Sequence, residues 1–290
     1  MNYKVLSPSA FTEYQLLDCG NGEKLERFGQ QTLIRPEKQA VWSPQLTAEA
    51  WRQVAHARFV GSDEQGKWEQ VNGSQSTWRM QYRSSVLSMS FLLKLTGYKH
   101  VGLFPEQAAH WDYIFQSARA IKGAKVLNLF AYTGAASLAA KAGGADVVHL
   151  EGLKQIVAWA KNNMEINKLE NIRWLLEDAI KFVHREYKRG NKYQGIVLDP
   201  PNYGMGPGGE RFVLEDQIGE LIDGVNAILD KNRFFVVCNS YSFKFSPLTL
   251  GNLFGKGRGE RAEVEMGELA TPFANGQYLA HGVFYRARSL

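Results

Sequence analysis

The stretch "KVLNLFAYTGAAS", Lys125 to Ser137, decides the fold class. Its apolar start is the pattern of a buried strand, and the small residues after Gly134 open a helix. Outward from this unit the same alternation recurs. A helix "FPEQAAHWDYIFQSARAI" precedes it. After it come strand "DVVHLEG", helix "LKQIVAWAKNNMEIN", strand "IRWLLED", helix "AIKFVHREYKR", strand "YQGIVLDP", helix "QIGELIDGVNAILD" and strand "RFFVVCNS". The repetition predicts an α/β fold with a doubly wound, mostly parallel sheet, and ligands beyond the carboxyl ends of its strands.

Either side of this region the pattern is β-like. After Ser246, "RAEVEMGELA" and "GVFYRARS" can pair as a late antiparallel hairpin. Before about Tyr98 the pieces are short and aromatic-rich, as in "YQLLDCGNGEKLERFG", "KWEQVNG" and "STWRMQYRSSVLSMSFLLKL", with "CGNG" and "VNGS" as turn signals. The expected organisation is a small β-rich module over residues 1–98 and the α/β domain over residues 99–290.

At 290 residues and 44% hydrophobic, the chain can bury the core of one large domain or two. Its net charge of +5 favours an anionic partner. Two cysteines, Cys19 and Cys238, cannot make a disulfide framework, and no Cys/His spacing suits zinc, so no metal is expected. The first residues lack a signal region and no apolar run approaches a membrane span; the expectation is a cytoplasmic protein without a membrane partner.

Four strand ends carry polar groups: "FAYTG" after the first, Glu151 after the second, Glu177-Asp178 after the third and Asp199-Pro200-Pro201-Asn202 after the fourth. An acid at the second strand end is suited to accept hydrogen bonds from a ribose diol. A dinucleotide would also need glycines where amides converge on its phosphates. Here the corresponding positions are Phe130, Tyr132 and Gly134, and only the last is glycine, so NAD and FAD are disfavoured and a nucleoside cofactor without phosphates is implied. "GNLFGKG", Gly251 to Gly257, is one residue short of a phosphate loop and lacks Ser or Thr after Lys256.

"VLNLFAYTGAAS", "HLEG", "EDA" and "VLDPPNYG", in this order, resemble class I S-adenosylmethionine-dependent methyltransferases. With "GLFPEQAAHWDYI" upstream and "NSYS" downstream, the chain from about Gly102 onward is similar to the branch grouped with large-subunit ribosomal RNA methyltransferases. The resemblance implies a Rossmann-like fold, S-adenosyl-L-methionine as cofactor, S-adenosyl-L-homocysteine as product, and RNA as partner, ribosomal RNA being favoured. It implies that Gly134 and neighbouring backbone lie against the methionine part, that Asn128, Phe130, Tyr132, Thr133 and Asp199 also belong to the cofactor site, that Glu151 holds the ribose, that Asp178 meets the adenine amino group, and that Asp199, Pro200, Asn202 and Tyr203 line the methyl-transfer site. Gln107 in "FPEQ" either faces the cofactor or steadies the first turn of its helix. Asp178 equally suits a helix cap.

In "DPPNYG" two prolines fix the backbone and remove amide donors, Asn202 can donate and accept, and Tyr203 can stack on a flat base; the "GMGPGGE" that follows reads as a flexible loop. Cytosine-5 members of the branch carry a nucleophilic cysteine where this chain has Tyr241 in "SYS", which shifts the expectation toward a nitrogen or oxygen acceptor. Phosphate contacts are expected from Lys181, Arg185, Lys188, Arg189 and Lys192, from Lys256, Arg258 and Arg261, or from Arg286 and Arg288. The same cations would also suit a solvated helix end. The aromatic residues of the N-terminal module could stack on single-stranded RNA or form a small core. Other readings are methylation of a small molecule or protein side chain, or cofactor binding without catalysis.

Overall fold

The structure is a computed structural model that describes residues 2–61, 65–242, 244–255 and 262–289. The chain divides into two compact units. One comprises Met1–Leu6, His110–Leu269 and Gly282–Leu290, the other Ser7–Ala109 and Ala270–His281. The strand β1 (Asn2–Leu6) belongs to the first and larger unit.

In the smaller unit β2 (Tyr14–Gly20), β3 (Glu23–Phe28) and β4 (Gln31–Pro36) form an antiparallel meander. Asn21 and Gly22 turn the first corner with φ of 53° and 79°, the left-handed pair that an Asn-Gly hairpin favours. The helix α1 (Ala48–Val54) is capped by the Thr47 hydroxyl, which accepts the Ala50 N–H at 3.2 Å. It leads to β5 (Ala57–Gly61), parallel to β4, and β6 (Gly66–Gln70), antiparallel to β5. A separate ribbon pairs β7 (Thr77–Arg83) with β8 (Ser88–Lys94). Phe11, Phe28, Trp51, Phe59, Trp78 and Phe91 are buried. These aromatic rings are therefore core, which removes them as stacking platforms for RNA. Glu26, fully buried, accepts from Tyr14 Oη at 2.7 Å and from Arg35 Nε at 2.8 Å. Burial alone would raise its pKa, but Arg35 and Lys24 overcome that and hold it at about 2.

The larger unit is built on eight strands in the order β1-β16-β17-β15-β12-β9-β10-β11. They are β9 (Lys125–Leu129), β10 (Asp146–Glu151), β11 (Ile172–Leu176), β12 (Gly195–Leu198), β15 (Phe234–Ser240), β16 (Glu263–Pro272) and β17 (Tyr278–Ser289) beside β1. A hairpin of β13 (Tyr203–Met205) and β14 (Arg211–Val213) stands apart, where the sequence suggested a flexible loop. The helices are α2 (Ala108–Ala120), α3 (Ala135–Ala142), α4 (Lys154–Ile166), α5 (Ala179–Lys188), α6 (Leu214–Ile228) and α7 (Pro247–Gly255). Leu127 and Leu129, two apart on β9, share one sheet face and pack in a core with Val183 of α5 and Val225 of α6. The mostly parallel sheet, with β17 antiparallel to β15, is the Rossmann-like architecture expected from the sequence.

The border between the units differs from the one read at residues 98 and 99. β1 pairs in parallel with β16 and so joins the large sheet, while residues 99–109 and 270–281 fold with the smaller unit.

Candidate active site

The strands β15, β12, β9, β10 and β11 are neighbours and all parallel, so their carboxyl ends form one row. With strands about 4.8 Å apart, the row spans about 19 Å. Along it stand Tyr241 after β15, Asp199 after β12, Phe130 after β9, Glu151 ending β10 and Asp178 two residues past β11. A cavity of about 320 Å³ bordered by Lys125, Asp146 and Arg173 lies instead at the amino ends of β9 and β10, away from these groups.

The turn after β9 is left-handed at alternate residues: Phe130 (φ 54°), Tyr132 (φ 48°) and Gly134 (φ 93°). Two of these are bulky aromatic residues in a conformation that costs each roughly 1–2 kcal/mol, a concentration of strain typical of sites where backbone geometry matters to a ligand. Gly134 answers a steric demand as well. A Cβ there would stand 3.3 Å from that of Ala160 on α4 and 3.6 Å from His149 Cε1, so the glycine lets α4 close on the turn. Thr133 is buried, and its carbonyl accepts from Asn163 Nδ2 at 3.0 Å.

Glu151 joins this turn to β10. Its Oε2 accepts the Tyr132 N–H at 3.0 Å, and its Oε1 accepts from Gly152 at 2.8 Å and Leu153 at 3.2 Å. A carboxylate has about four acceptor sites, so these amides leave capacity on Oε2 for a ligand hydroxyl. Burial raises the Glu151 pKa, and the three amides oppose that rise. The side chain thus fits a ribose, and the turn beside it offers no glycine-lined phosphate cradle.

Asn128 and Asp178 each make a hydrogen bond within the fold. Asn128 is buried and donates to Ser137 Oγ at 2.9 Å, and the same Oγ lies 3.0 Å from His149 Nδ1. Burial lowers the His149 pKa to about 3, so the ring is neutral. Asp178 caps α5, its Oδ1 accepting from the Lys181 amide at 2.9 Å.

The Asp199-Pro200-Pro201-Asn202 segment leaves β12 at the centre of the row and runs into the β13–β14 hairpin. Asn202 and Tyr203 are exposed. The hairpin leans across the strand ends. Phe212 packs on Phe130 with ring centres 5.0 Å apart, the Met205 carbonyl reaches the space beside Gly152, and Glu210 takes Lys181 Nζ at 2.6 Å.

Near the end of β15, Asn239 is held by His110 Nε2 at 3.0 Å, a contact that no sequence pattern announced. Tyr241 follows, half-buried. Cys238 is fully buried between β12 and β17, and burial, with Asp199 nearby, pushes its thiol pKa well up. Cys19, buried in the smaller unit, is raised to about 12 by burial. Gln107 lies on a 3₁₀ turn of the smaller unit, and its backbone N–H donates to the Phe104 carbonyl.

The candidate phosphate contacts are largely committed elsewhere. Arg286 is buried, paired with Glu265 and placed over the Tyr113 ring, while Arg288 pairs with Glu263. Lys181 pairs with Glu210, Arg185 with Glu177, Arg189 with Glu186, and Lys192 donates to the Ala227 carbonyl. Lys188 is exposed near the end of α5. Lys256, Arg258 and Arg261 lie outside the described residues.

The sequence pattern of a family described as S-adenosylmethionine-dependent methyltransferase matches residues 24–239. A SAM-dependent methyltransferase from Agrobacterium tumefaciens, known by crystal structure, is 36% identical at a TM-score of 0.90, covering 98% of this chain and 93% of that one. A chain from Streptococcus mutans, 18% identical with a TM-score of 0.73, shares the fold over 97% of this chain and 76% of its own. The ribosomal RNA large subunit methyltransferase K/L of Shewanella frigidimarina is 30% identical over 154 residues, 52% of this chain and 21% of that protein. Its namesake from Shewanella sp. strain ANA-3 is 34% identical over 117 residues, 39% of this chain and 16% of that protein. The matched segments thus span about a fifth or less of these curated relatives.

Proposed function

The chain belongs to the S-adenosylmethionine-dependent methyltransferase family, and from that premise we propose that it methylates a nitrogen or oxygen atom of RNA, ribosomal RNA being the favoured substrate. The observation that carries the RNA reading is the relation to large-subunit ribosomal RNA methyltransferases over about half of the chain. The cofactor, S-adenosyl-L-methionine, supplies an electrophilic methyl group when bound. Glu151 would accept from its ribose, the backbone of the 130–134 turn would hold its amino-acid part, and Asp178 would add an acceptor toward the adenine while capping α5.

The chain's own task is alignment and exclusion of water. The carbonyls of Asp199 and Pro200 and the amide of Asn202 hold the acceptor's polar edge, and the rings of Tyr203 and Tyr241 pack against the base. The two prolines keep that segment from donating where the acceptor needs its lone pair free. Carbon methylation of a pyrimidine needs a thiolate, and burial keeps both cysteines protonated. Among the described residues no helix is long and apolar enough to cross a membrane, and no cluster suits a metal ion. A cytoplasmic site of action accords with an RNA substrate. The test is nucleoside mass spectrometry of ribosomal RNA from cells with and without the gene. Loss of one methylated nucleoside, restored by the wild-type gene and not by Asn202→Ala, supports the proposal; an unchanged nucleoside profile removes ribosomal RNA as the substrate.

A further inference from the structure

One residue in ten of the chain is acidic, 29 of 290, yet the 36 residues from 70 to 105 contain neither aspartate nor glutamate. They contain Arg79, Arg83, Lys94 and Lys99. Half of that stretch folds as the β7–β8 ribbon of the smaller unit, in which Arg79 faces Leu92, Gln81 faces Ser90 and Arg83 faces Ser88.

Strand alternation sorts the ribbon into two unlike faces. Trp78, Met80, Tyr82, Met89, Phe91 and Leu93 are all buried. The opposite face carries Thr77, Arg79, Gln81, Arg83, Ser88, Ser90, Leu92 and Lys94, with Thr77, Arg79, Arg83 and Ser88 exposed. The two arginines are four residues apart on one strand, about 13 Å. Among the described residues neither guanidinium meets a carboxylate, whereas Arg35 and Arg58 of the same unit are bound to Glu26 and Glu23. Glu13 meets the ribbon where its Oε2 accepts the Gln81 backbone N–H at 2.6 Å.

We infer that the outward face of the β7–β8 ribbon is an RNA-docking surface that grips the phosphate backbone through Arg79 and Arg83. Charge complementarity singles out a polyanion, because an acid-free cationic face raises the local concentration of one and repels other cations. RNA fits better than an acidic peptide: two arginine forks among serine, threonine and glutamine side chains are the groups that bind phosphate oxygens. With the ribbon's aromatic rings turned inward, the grip is on backbone and carries no base preference. This inference rests on the RNA reading above and gives that reading a surface in the smaller unit.

The test uses the full chain and two probes, a fluorescent 20-nucleotide oligouridine and poly-glutamate, with binding followed over a series of salt concentrations. Arg79→Gln/Arg83→Gln should weaken oligouridine binding roughly tenfold at low salt and reduce the slope of log affinity against log salt by about 1.4, the loss of two single-strand phosphate contacts. A control, Lys122→Gln/Lys161→Gln, removes two exposed charges from the larger unit and should leave the slope nearly unchanged. Matching melting curves and unchanged S-adenosylhomocysteine affinity show that both variants are folded. Wild-type binding with the same slope in the arginine variant overturns the ribbon assignment while leaving the RNA reading standing. No oligouridine binding by the wild type at any salt concentration removes both. Poly-glutamate bound as tightly as oligouridine, and weakened equally by the arginine changes, overturns RNA in favour of an acidic protein partner.

Discussion

Replacing Glu151 with Gln tests the cofactor assignment at its most specific contact. The change keeps volume and one acceptor but removes the charge that receives three amides and is proposed to receive the ribose. The variant's single carbonyl oxygen can serve either the Tyr132 amide or the Gly152–Leu153 pair, so one side of the link between turn and strand is lost. Whichever side is released, a half-buried amide, that of Tyr132 or of Gly152, loses its carboxylate partner. A fully buried unsatisfied amide costs about 1–3 kcal/mol, so a half-buried one costs up to about that, which appears as lower thermal stability whether or not a ligand binds. A charge-assisted hydrogen bond to the ribose is worth about 1.5–3 kcal/mol, roughly 10- to 150-fold in dissociation constant. To separate the two effects, calorimetry should compare S-adenosylhomocysteine with its 2′-deoxy analogue. Wild type should prefer the parent compound by tenfold or more, and Glu151→Gln should bind both weakly and nearly equally. Because burial raises the Glu151 pKa, wild-type affinity should decline on acidification sooner than for an ordinary glutamate, and the variant should lose that dependence. Equal binding of the two compounds by wild type, or undiminished discrimination in a folded variant, refutes the ribose assignment.

Asn202→Ala should slow methyl transfer at least tenfold while S-adenosylhomocysteine affinity changes less than threefold, since the exposed amide is assigned to the acceptor; calorimetry beside single-turnover kinetics checks this. Cys238→Ser, once shown by melting to be folded, should stay active, and RNA containing 5-fluorocytosine should trap no covalent adduct; an adduct lost only in this variant contradicts the assignment of a nitrogen or oxygen acceptor. Glu26 has a lowered folded-state pKa, so its stabilising contribution is present above the unfolded value of about 4.3 and fades as pH falls toward about 2. Glu26→Gln should therefore be less stable near neutrality and lose less stability than wild type between pH 4.5 and about 2, as followed by acid titration of tryptophan fluorescence.

The strand–turn–helix at Lys125 to Ser137 was legible because a short apolar run and a small-residue turn leave few alternatives, and the parallel order followed from its repetition. The place of Glu151 at the end of β10 was legible because the apolar run of that strand stops there. The left-handed φ of Phe130 and Tyr132 was not, since neither residue type favours that region and only the assembled turn imposes it. Strand β1 escaped notice for a related reason: its partner β16 is hundreds of residues away in sequence, and Tyr3 and Val5 are more than half exposed. The β13–β14 hairpin hid in a Gly- and Pro-rich segment that reads as a loop. It is ordered by distant partners, Glu210 on Lys181 and Phe212 on Phe130. Arg286 and Arg288 looked like nucleic-acid contacts because a sequence displays charge without its neutralising neighbour, here Glu265 and Glu263.

The central claim is methyl transfer to RNA, and its most direct measurement is incubation of the enzyme with methyl-labelled S-adenosylmethionine and separated RNA, protein and metabolite fractions from cells lacking the gene. Label should enter large-subunit ribosomal RNA, be recovered after digestion as an N- or O-methylated nucleoside, and be nearly absent with Asn202→Ala. Label in the protein or metabolite fraction, label at a ring carbon, or intact cofactor binding with no transfer to any fraction contradicts the account.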